Sequence, residues 1–342
     1  MVGFSSVHGT MSINELSSNF FEKSFEAGLY YQNHKQKKKN GKFREICAPQ
    51  EDLKQLQREI ADFLEEEFRD VLSADHITGF LKGKSIKNNA KPHLGADWVI
   101  NLDIKDFFPS IDSSLIMEVL EELKPKKSLI ASIFGKNKRT NFRKLTPEAI
   151  FNIVTLEQKL PQGSPASPII SNIVGARTVD KMFLDRIDQV KPRGYRAEYT
   201  RYADDITISL HLEVPYNKPS LTYERMKVED MTKILVDSSN HASKLLSWGF
   251  YINEEKTNIK HKSQRQSVTG IVVNNGIPGI SKKKRNKIRA ILHSLKTSNK
   301  EIDENLFGLL EFIREINPKQ YSQLTKDFPE NLLKKEKNYA SN

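Results

Sequence analysis

The residue pattern predicts an α+β fold, in which helices and strands interleave without a strict βαβ rhythm. Three observations carry that expectation. Apolar residues recur at helical spacing in several stretches, and short β-rich runs fall between them. A hydrophobic content of 37% over 342 residues is enough to bury a sizeable core, divided by length into two or three compact units. No internal repeat or low-complexity linker is visible, so these units are expected to pack together.

The elements follow in chain order. Lys35, Lys37, Lys38, Lys39, Lys42 and Arg44 surround Asn40-Gly41, a dipeptide that favours a hairpin turn because both residues tolerate positive φ. Such a basic tip suits a phosphate backbone, and equally a plain solvated turn. In residues 51–72, Leu53, Leu56, Ile60, Phe63, Leu64, Val71 and Leu72 have the spacing of one amphipathic helix. Residues 98–104 alternate and read as a strand with Asp103 near its end. Residues 114–124 and 146–158 read as helices, 201–210 as two short strands around a turn, 226–248 as a helix and 267–273 as a strand. From Ser281 the helical pattern returns, with Ile288, Ile291, Leu292 and Leu295 on one stripe.

Lys and Arg total 54 against 43 Asp and Glu, a net charge of +11. That surplus points to a polyanion, either nucleic acid or an acidic membrane surface, although a merely basic protein would show it too. Cys47 is the one cysteine, which excludes an intrachain disulfide and a cysteine-based zinc site. The first twenty residues lack the charged start and apolar run of a signal peptide, and no stretch approaches the ~20 apolar residues of a membrane span. A soluble, cytoplasmic protein without membrane partners is expected.

Two segments carry the chemistry: residues 102–111, with Asp103 and Asp106 ahead of Phe107-Phe108, and Tyr202-Ala203-Asp204-Asp205 followed by Ile206-Thr207-Ile208. Adjacent aspartates at a tight turn between apolar strands repel each other and lose hydration, so a cation is needed to offset them. Mg²⁺ takes carboxylate oxygens. A third carboxylate from another strand end would let two metals sit about 4 Å apart, the spacing that serves phosphoryl transfer. A lone Asp-Asp pair is more often a hydrated turn; the flanking tyrosine, the apolar strand and the upstream Asp-x-x-x-Phe-Phe segment weaken that reading here.

Tyr202 to Asp205 resembles the palm signature of reverse transcriptases, residues 103–111 their first catalytic motif, and Leu160-Pro161-Gln162-Gly163-Ser164-Pro165 the intervening Pro-Gln-Gly motif, in the family's order. The resemblance implies a right-hand polymerase architecture: fingers, a palm of antiparallel sheet plus helices, and a helical thumb. It implies Asp103, Asp204 and Asp205 as catalytic carboxylates, with Ile104 joining them at two Mg²⁺ ions, and dNTPs as substrates. It assigns Phe108 to the ring that crowds a ribose 2′-hydroxyl, and Gln162 and Gly163 to the nucleotide pocket. Asp106 has a weaker claim. Arg44 lies in a run resembling the finger motif that holds triphosphate, a task its planar fork suits. Lys256, in a run resembling a later palm motif, would donate a proton to departing pyrophosphate.

Residues 78–85 superficially resemble a phosphate-binding P-loop, but three residues separate Gly79 from Gly83 where that loop needs four. The segment instead resembles the second finger motif of reverse transcriptases, where Lys84 would contact nucleotide or template. Asn89-Ala90-x-x-His93 and Val268-Thr269-Gly270 resemble elements of the bacterial retron enzymes, and Asn89, His93, Val268, Thr269 and Gly270 are accordingly expected at the RNA. From Ser281 to Lys300 every charged residue is basic, so Lys282, Lys283, Lys284, Arg285, Lys287 and Arg289 would track a nucleic-acid backbone with salt-dependent affinity.

A retron enzyme binds its own structured non-coding RNA, primes from an internal guanosine 2′-hydroxyl and makes branched msDNA. Many such systems act in anti-phage defence, where enzyme and msDNA restrain a separately encoded effector; a higher-order complex with that effector is one expectation. The expected division is 1–95 for an N-terminal extension and fingers, 96–275 for a palm with a finger insertion around 125–160, and 276–342 for the thumb and C-terminal RNA-binding region. The rival within this chemistry is another bacterial reverse transcriptase, such as a group II intron or other defence-associated type. A metal-dependent nuclease would have no obvious use for Phe108 or the Pro-Gln-Gly segment, and a non-catalytic RNA scaffold none for three aspartates.

Overall fold

The computed structural model describes residues 30–37, 41, 43–123, 146–213, 221–236 and 248–329. Strands β1 (Tyr31–Lys37) and β2 (Phe43–Pro49) pair antiparallel with Lys37 opposite Phe43, so the hairpin signalled by Asn40-Gly41 forms. Lys38, Lys39, Asn40 and Lys42 of its tip lie outside the described residues. Helix α1 (Glu51–Glu67) buries Leu53, Leu56, Ile60 and Leu64, the stripe its spacing predicts. It does not run on to residue 72 as expected. Phe68 leaves helical geometry at φ −104°, ψ 22°, and α2 (Arg69–Leu72) restarts beyond it, a break that seats both Phe68 and Leu72 in the core.

Helix α3 (Ile86–Ala90) opens on a capping box, Ser85 with Asn88, which satisfies backbone donors left free at a helix start. Strand β3 (Trp98–Asp103) then turns through Asp106, at φ 43°, into the short α4 (Phe107–Ser110) and α5 (Ser113–Glu121). The finger insertion expected around 125–160 falls largely outside the described residues. After it α6 (Pro147–Val154) ends short of the predicted 158, because Glu157 and Gln158 take positive φ. Helix α7 (Ser167–Gly175) joins α8 (Lys181–Val190) through one π-helical turn, Ala176–Asp180.

Strands β4 (Tyr195–Tyr202) and β5 (Asp205–Leu212) form a hairpin, α9 (Leu221–Val236) covers part of the predicted 226–248 helix, and β6 (Asn258–His261) completes a sheet of order β4-β5-β3-β6, antiparallel throughout. The strand expected at 267–273 is instead a hairpin, β7 (Ser267–Val268) with β8 (Ile271–Val272), because Thr269 and Gly270 between them stand at φ 44° and 88°. Three helices close the described chain: α10 (Lys282–Thr297), α11 (Glu304–Ile316) and α12 (Pro318–Thr325), N-capped by Ser281, Asp303 and Asn317. On α10, Ile288 and Leu292 are buried as predicted, whereas Ile291 is 37% exposed and off the stripe.

The buried apolar residues fall into two clusters. Trp98, Ile100 and Leu102 belong to the larger, with α1 and α5 to α8. Val99 belongs to the smaller, with Val268, Ile271 and the apolar sides of α10 to α12. A strand sends successive side chains to opposite faces, so β3 serves both cores. Among the described residues no helix is long and apolar enough to cross a membrane.

Candidate active site

The hairpin of β4 and β5 delivers two of the three aspartates. Tyr202 pairs with Asp205, leaving Ala203 and Asp204 as a two-residue turn with Ala203 at φ 57°. Asp103 stands directly opposite Asp205 across the β3–β5 ladder, and the Ile104 N–H donates to the Asp204 carbonyl at 3.0 Å. Three carboxylates separated by a hundred residues of chain thus meet at one sheet end, with Ile104 beside them. Burial raises the Asp204 carboxyl, and the Asp103 charge adds to the rise against its own backbone hydrogen bond. Asp205 keeps an open face, but the protein around it strips hydration and the Asp204 and Asp103 charges add to that, so it rises to about 6.

Lys256 answers this excess of negative charge. Its ammonium reaches both Asp103 oxygens, at 2.7 and 2.9 Å, and Asn253 Nδ2 donates to Asp103 Oδ2 at 3.2 Å. Partial burial works against the ammonium, yet the bonds to Asp103 and the nearby Asp204 and Asp205 charges raise its pKa. With Asp103 turned to Lys256, no trio of His, Cys, Asp or Glu among the described residues forms a ready-made metal cage. The donors are nonetheless all oxygen, and crowding leaves Asp204 and Asp205 holding protons more tightly than usual, which is the chemistry of a hard divalent cation.

Behind the turn lies a polar network with no exposure. Arg201 is 0% exposed; its Nε and Nη2 donate to Asp180 at 2.6 and 2.9 Å, and Nη1 donates to Asn172 Oδ1 at 3.1 Å and toward the Ala203 carbonyl at 3.5 Å. Tyr199 also donates to Asp180, at 2.6 Å. The π-helical turn presents Asp180, and such turns often mark functional positions. Gly175 makes room, since a Cβ there would lie 2.7 Å from the guanidinium carbon.

A second group of residues that the sequence assigns to the nucleotide is assembled around β2. The Cys47 N–H donates to the Gln162 carbonyl at 2.8 Å, and Gly163, at φ 130°, lies so close that a Cβ would sit 2.6 Å from the Cys47 carbonyl. This glycine is required for the close approach. It brings Gln162 and Gly163 beside the strand carrying Arg44, whose positive charge lowers the Asp204 pKa. Phe108 is half-buried, with ring centroids 5.9 Å from Phe107 and 6.2 Å from Phe80; Phe80 is in turn 5.9 Å from Tyr202. On the same sheet end a cleft of about 370 Å³ runs from Asp103, Asp205 and Lys256 past Asn101, Thr207 and Asn258 to Thr269 and Gly270.

Four residues expected at nucleotide or RNA are occupied elsewhere. His93 is fully buried, its two ring nitrogens 2.7 Å from Ser209 Oγ and 2.8 Å from Thr200 Oγ1, and burial pushes its pKa down to about 3; it fastens α3 to the sheet and cannot touch RNA. Asn89, also fully buried, accepts from Thr78 and donates to Thr269 Oγ1 at 3.3 Å. Val268 is core. The Lys84 ammonium is spent on carbonyls, including Ala74 at 2.5 Å and Ile77 at 2.8 Å, where it braces the loop. Thr269 and Gly270 do line the cleft, and Lys282, Lys283, Lys284, Lys287 and Arg289 are exposed, with Arg285 half-buried. Arg201, Asp180, Asn253 and Phe80 were not singled out by sequence. Arg201 adjoins one motif and Phe80 lies within another, but nothing local marks the burial of the first or the strain of the second.

The chain matches the family profile of reverse transcriptases (RNA-dependent DNA polymerase) over residues 35–273. It is 30% identical to the retron Mx65 reverse transcriptase of Myxococcus xanthus over 295 residues, 84% of this chain and 62% of that enzyme, so it spans less than two thirds of that relative's length. It is 28% identical to the retron Ec86 reverse transcriptase of Escherichia coli over 342 residues, covering 96% of this chain and 90% of the relative. A solved telomerase from Candida tropicalis in complex with a fragment of telomeric RNA aligns over 92% of this chain and 59% of its own, at a TM-score of 0.48 and 14% identity, too loose a likeness to carry an argument.

Proposed function

The chain belongs to the reverse transcriptase family, with retron enzymes among its relatives, and from that premise we propose that it is the RNA-directed DNA polymerase of a retron. It copies part of a cognate non-coding RNA into branched msDNA, starting from a guanosine 2′-hydroxyl, in a system of anti-phage defence with a separately encoded effector. The observation that carries polymerisation is the meeting of Asp103, Asp204 and Asp205 at one sheet end. The retron assignment is supported by the two retron relatives and by the position of the Val268-Thr269-Gly270 hairpin, which borders the cleft beside the carboxylates.

In this reading the three aspartates, with the Ile104 backbone, would hold two Mg²⁺ ions. Bound magnesium would supply the charge that activates the attacking hydroxyl and steadies the departing pyrophosphate. The remaining work falls to side chains. Arg44 and Gln162-Gly163 hold the dNTP, Phe108 meets its sugar, and Lys256, released from Asp103, gives a proton to the leaving pyrophosphate. The β1–β2 hairpin and α1 act as fingers, the four-stranded sheet as palm, and α10 to α12 as thumb, whose exposed bases follow the RNA backbone.

Asp204→Asn tests the core of this reading. Primer extension should fall at least ~100-fold, while affinity for the RNA stays nearly unchanged because the basic helix is untouched. cDNA made at the parental rate would refute the carboxylate assignment. The retron assignment has its own readout: expression with the upstream region should yield branched, RNase-sensitive DNA, and unbranched cDNA alone would favour a group II intron-like or other defence-associated enzyme.

A further inference from the structure

We propose that Phe80 is a second determinant of sugar selectivity, acting as a brace that keeps the Phe108 ring from retreating when a ribonucleotide enters. The inference rests on the reading of Phe108 as the ring that meets the ribose.

Phe80 is an anomaly on two counts. It is a large aromatic 49% exposed, and its backbone stands at φ 58°, a region that residues with a Cβ rarely adopt. Strain of this kind persists only where the surroundings over-determine it, and it gathers at functional sites. Here the surroundings are explicit. Ile77 pairs in parallel with Arg201, and the Thr78 N–H donates to the Arg201 carbonyl at 3.0 Å. Buried Asn172 Nδ2 donates to the Gly79 carbonyl at 2.7 Å. Gly79 lies against the catalytic turn so closely that a Cβ would be 2.7 Å from the Ala203 nitrogen. On the far side of Phe80, Lys84 ties the loop to the carbonyls of Ala74 and Ile77.

The loop that presents Phe80 is thus fastened to the Tyr-Ala-Asp-Asp turn itself. The ring it presents touches Phe108 and Tyr202, at centroid separations of 6.2 and 5.9 Å. Among the described residues Phe108's other ring neighbour is Phe107, which is packed in the buried core with its centroid 5.9 Å away. Phe80, 49% exposed, is the neighbour nearer solvent. Without it Phe108 has a direction in which to yield to a 2′-hydroxyl; with it the ring is held between two fixed neighbours.

The test is single-nucleotide extension of a DNA primer annealed to an RNA template, with dGTP or GTP as the nucleotide, comparing parent, Phe80→Ala, Phe80→Gly, Phe108→Ala and the double variant Phe80→Ala/Phe108→Ala. Phe80→Ala should lower the dGTP-to-GTP ratio of kcat/KM about tenfold, chiefly through a lower KM for GTP, with kcat for dGTP kept within about twofold. Phe108→Ala should lower the ratio further, and the double variant should match it, because the brace acts through Phe108. Phe80→Gly removes ring and strain together, so it should lose selectivity while melting no lower than the parent; selectivity lost only with a lower melting temperature would overturn the proposal. If Phe108→Ala relaxes selectivity and Phe80→Ala does not, the brace is wrong and the gate stands. Additive losses in the double variant would also overturn it, placing Phe80 on the substrate directly. If neither single variant changes the ratio, the gate reading falls and takes the brace with it.

Discussion

Burial and the neighbouring Asp204 and Asp103 charges push the Asp205 carboxyl up to about 6 in the fold, above the ordinary carboxylate value. The folded state therefore holds this proton more tightly than the unfolded chain, and the ionised form is a liability fully present above pH 6 that fades as pH falls toward 4. Divalent ions need the ionised form, so their affinity runs the other way. Between pH 7 and 5 without divalent ions, the urea midpoint of the parent should rise relative to Asp205→Asn, and over the same window the parent's affinity for magnesium should fall. A parent–variant difference that does not move with pH would remove Asp205 from the coupled cluster. Arg201 and Asp180 offer a second residue-level contrast. Breaking this buried pair with Arg201→Met should cost about 3–5 kcal/mol, because Asp180 is left buried without its guanidinium, with the Tyr199 hydroxyl still donating to it. Adding Asp180→Leu should restore much of the melting temperature but not primer extension, since no guanidinium then reaches toward the Ala203 carbonyl. Recovery of both would show that the pair serves stability alone. At this scale the three aspartates were legible because each lies in a short run whose neighbours constrain it. Arg201 was not, because it sits on a strand while its partner Asp180 lies on a π-helical turn twenty-one residues earlier, and burial of a charged side chain leaves no local trace. His93 was misread for a related reason: its place in a motif says nothing about whether its ring faces RNA or two buried hydroxyls.

Among the elements, α10 carries the clearest conflict between local and global demands. Lys282, Lys283 and Lys284 occupy its first turn with no acidic residue, at the positive end of the helix dipole, where each is unfavourable by roughly 0.3–1 kcal/mol. A helix selected for stability alone would carry acids there. An anionic partner turns the same arrangement into an asset, because backbone N–H groups and ammonium groups then point at the same phosphates. Replacing Lys282, Lys283, Lys284 and Arg285 with Gln should weaken RNA binding and reduce the slope of log affinity against log salt by about 0.7–0.9 for each phosphate no longer neutralised, while raising or leaving unchanged the helix's own stability. An unaltered slope, measured by filter binding across a salt series, would return the cluster to solvent. The helix itself was readable from its period and its Ser281 cap. The β7–β8 hairpin was not, because a run of β-formers from Ser267 to Val273 disguises a turn whose only local signal is Gly270. Similarly, α1 and α2 share one apolar period, and the break at Phe68 arises from tertiary packing.

Over the whole molecule, β3 is a party wall. Its Trp98, Ile100 and Leu102 face one core and Val99 the other, so the strand that ends in Asp103 is held from both sides. The α+β class and the absence of βαβ order were legible from periodicity; the sharing of one strand between two cores was not, since alternation within β3 shows two apolar faces without naming what covers each. The salt bridge from Lys256 to Asp103 has an effect at this scale. A resident ammonium already balances part of the carboxylate charge, so the scaffold can be born and mature before it meets magnesium, unlike small zinc modules that collapse when stripped of their ion. Adding a chelator should therefore silence synthesis at once and leave the melting temperature within a degree or so, and a chelator-treated sample should regain full activity on re-addition of magnesium without any refolding lag.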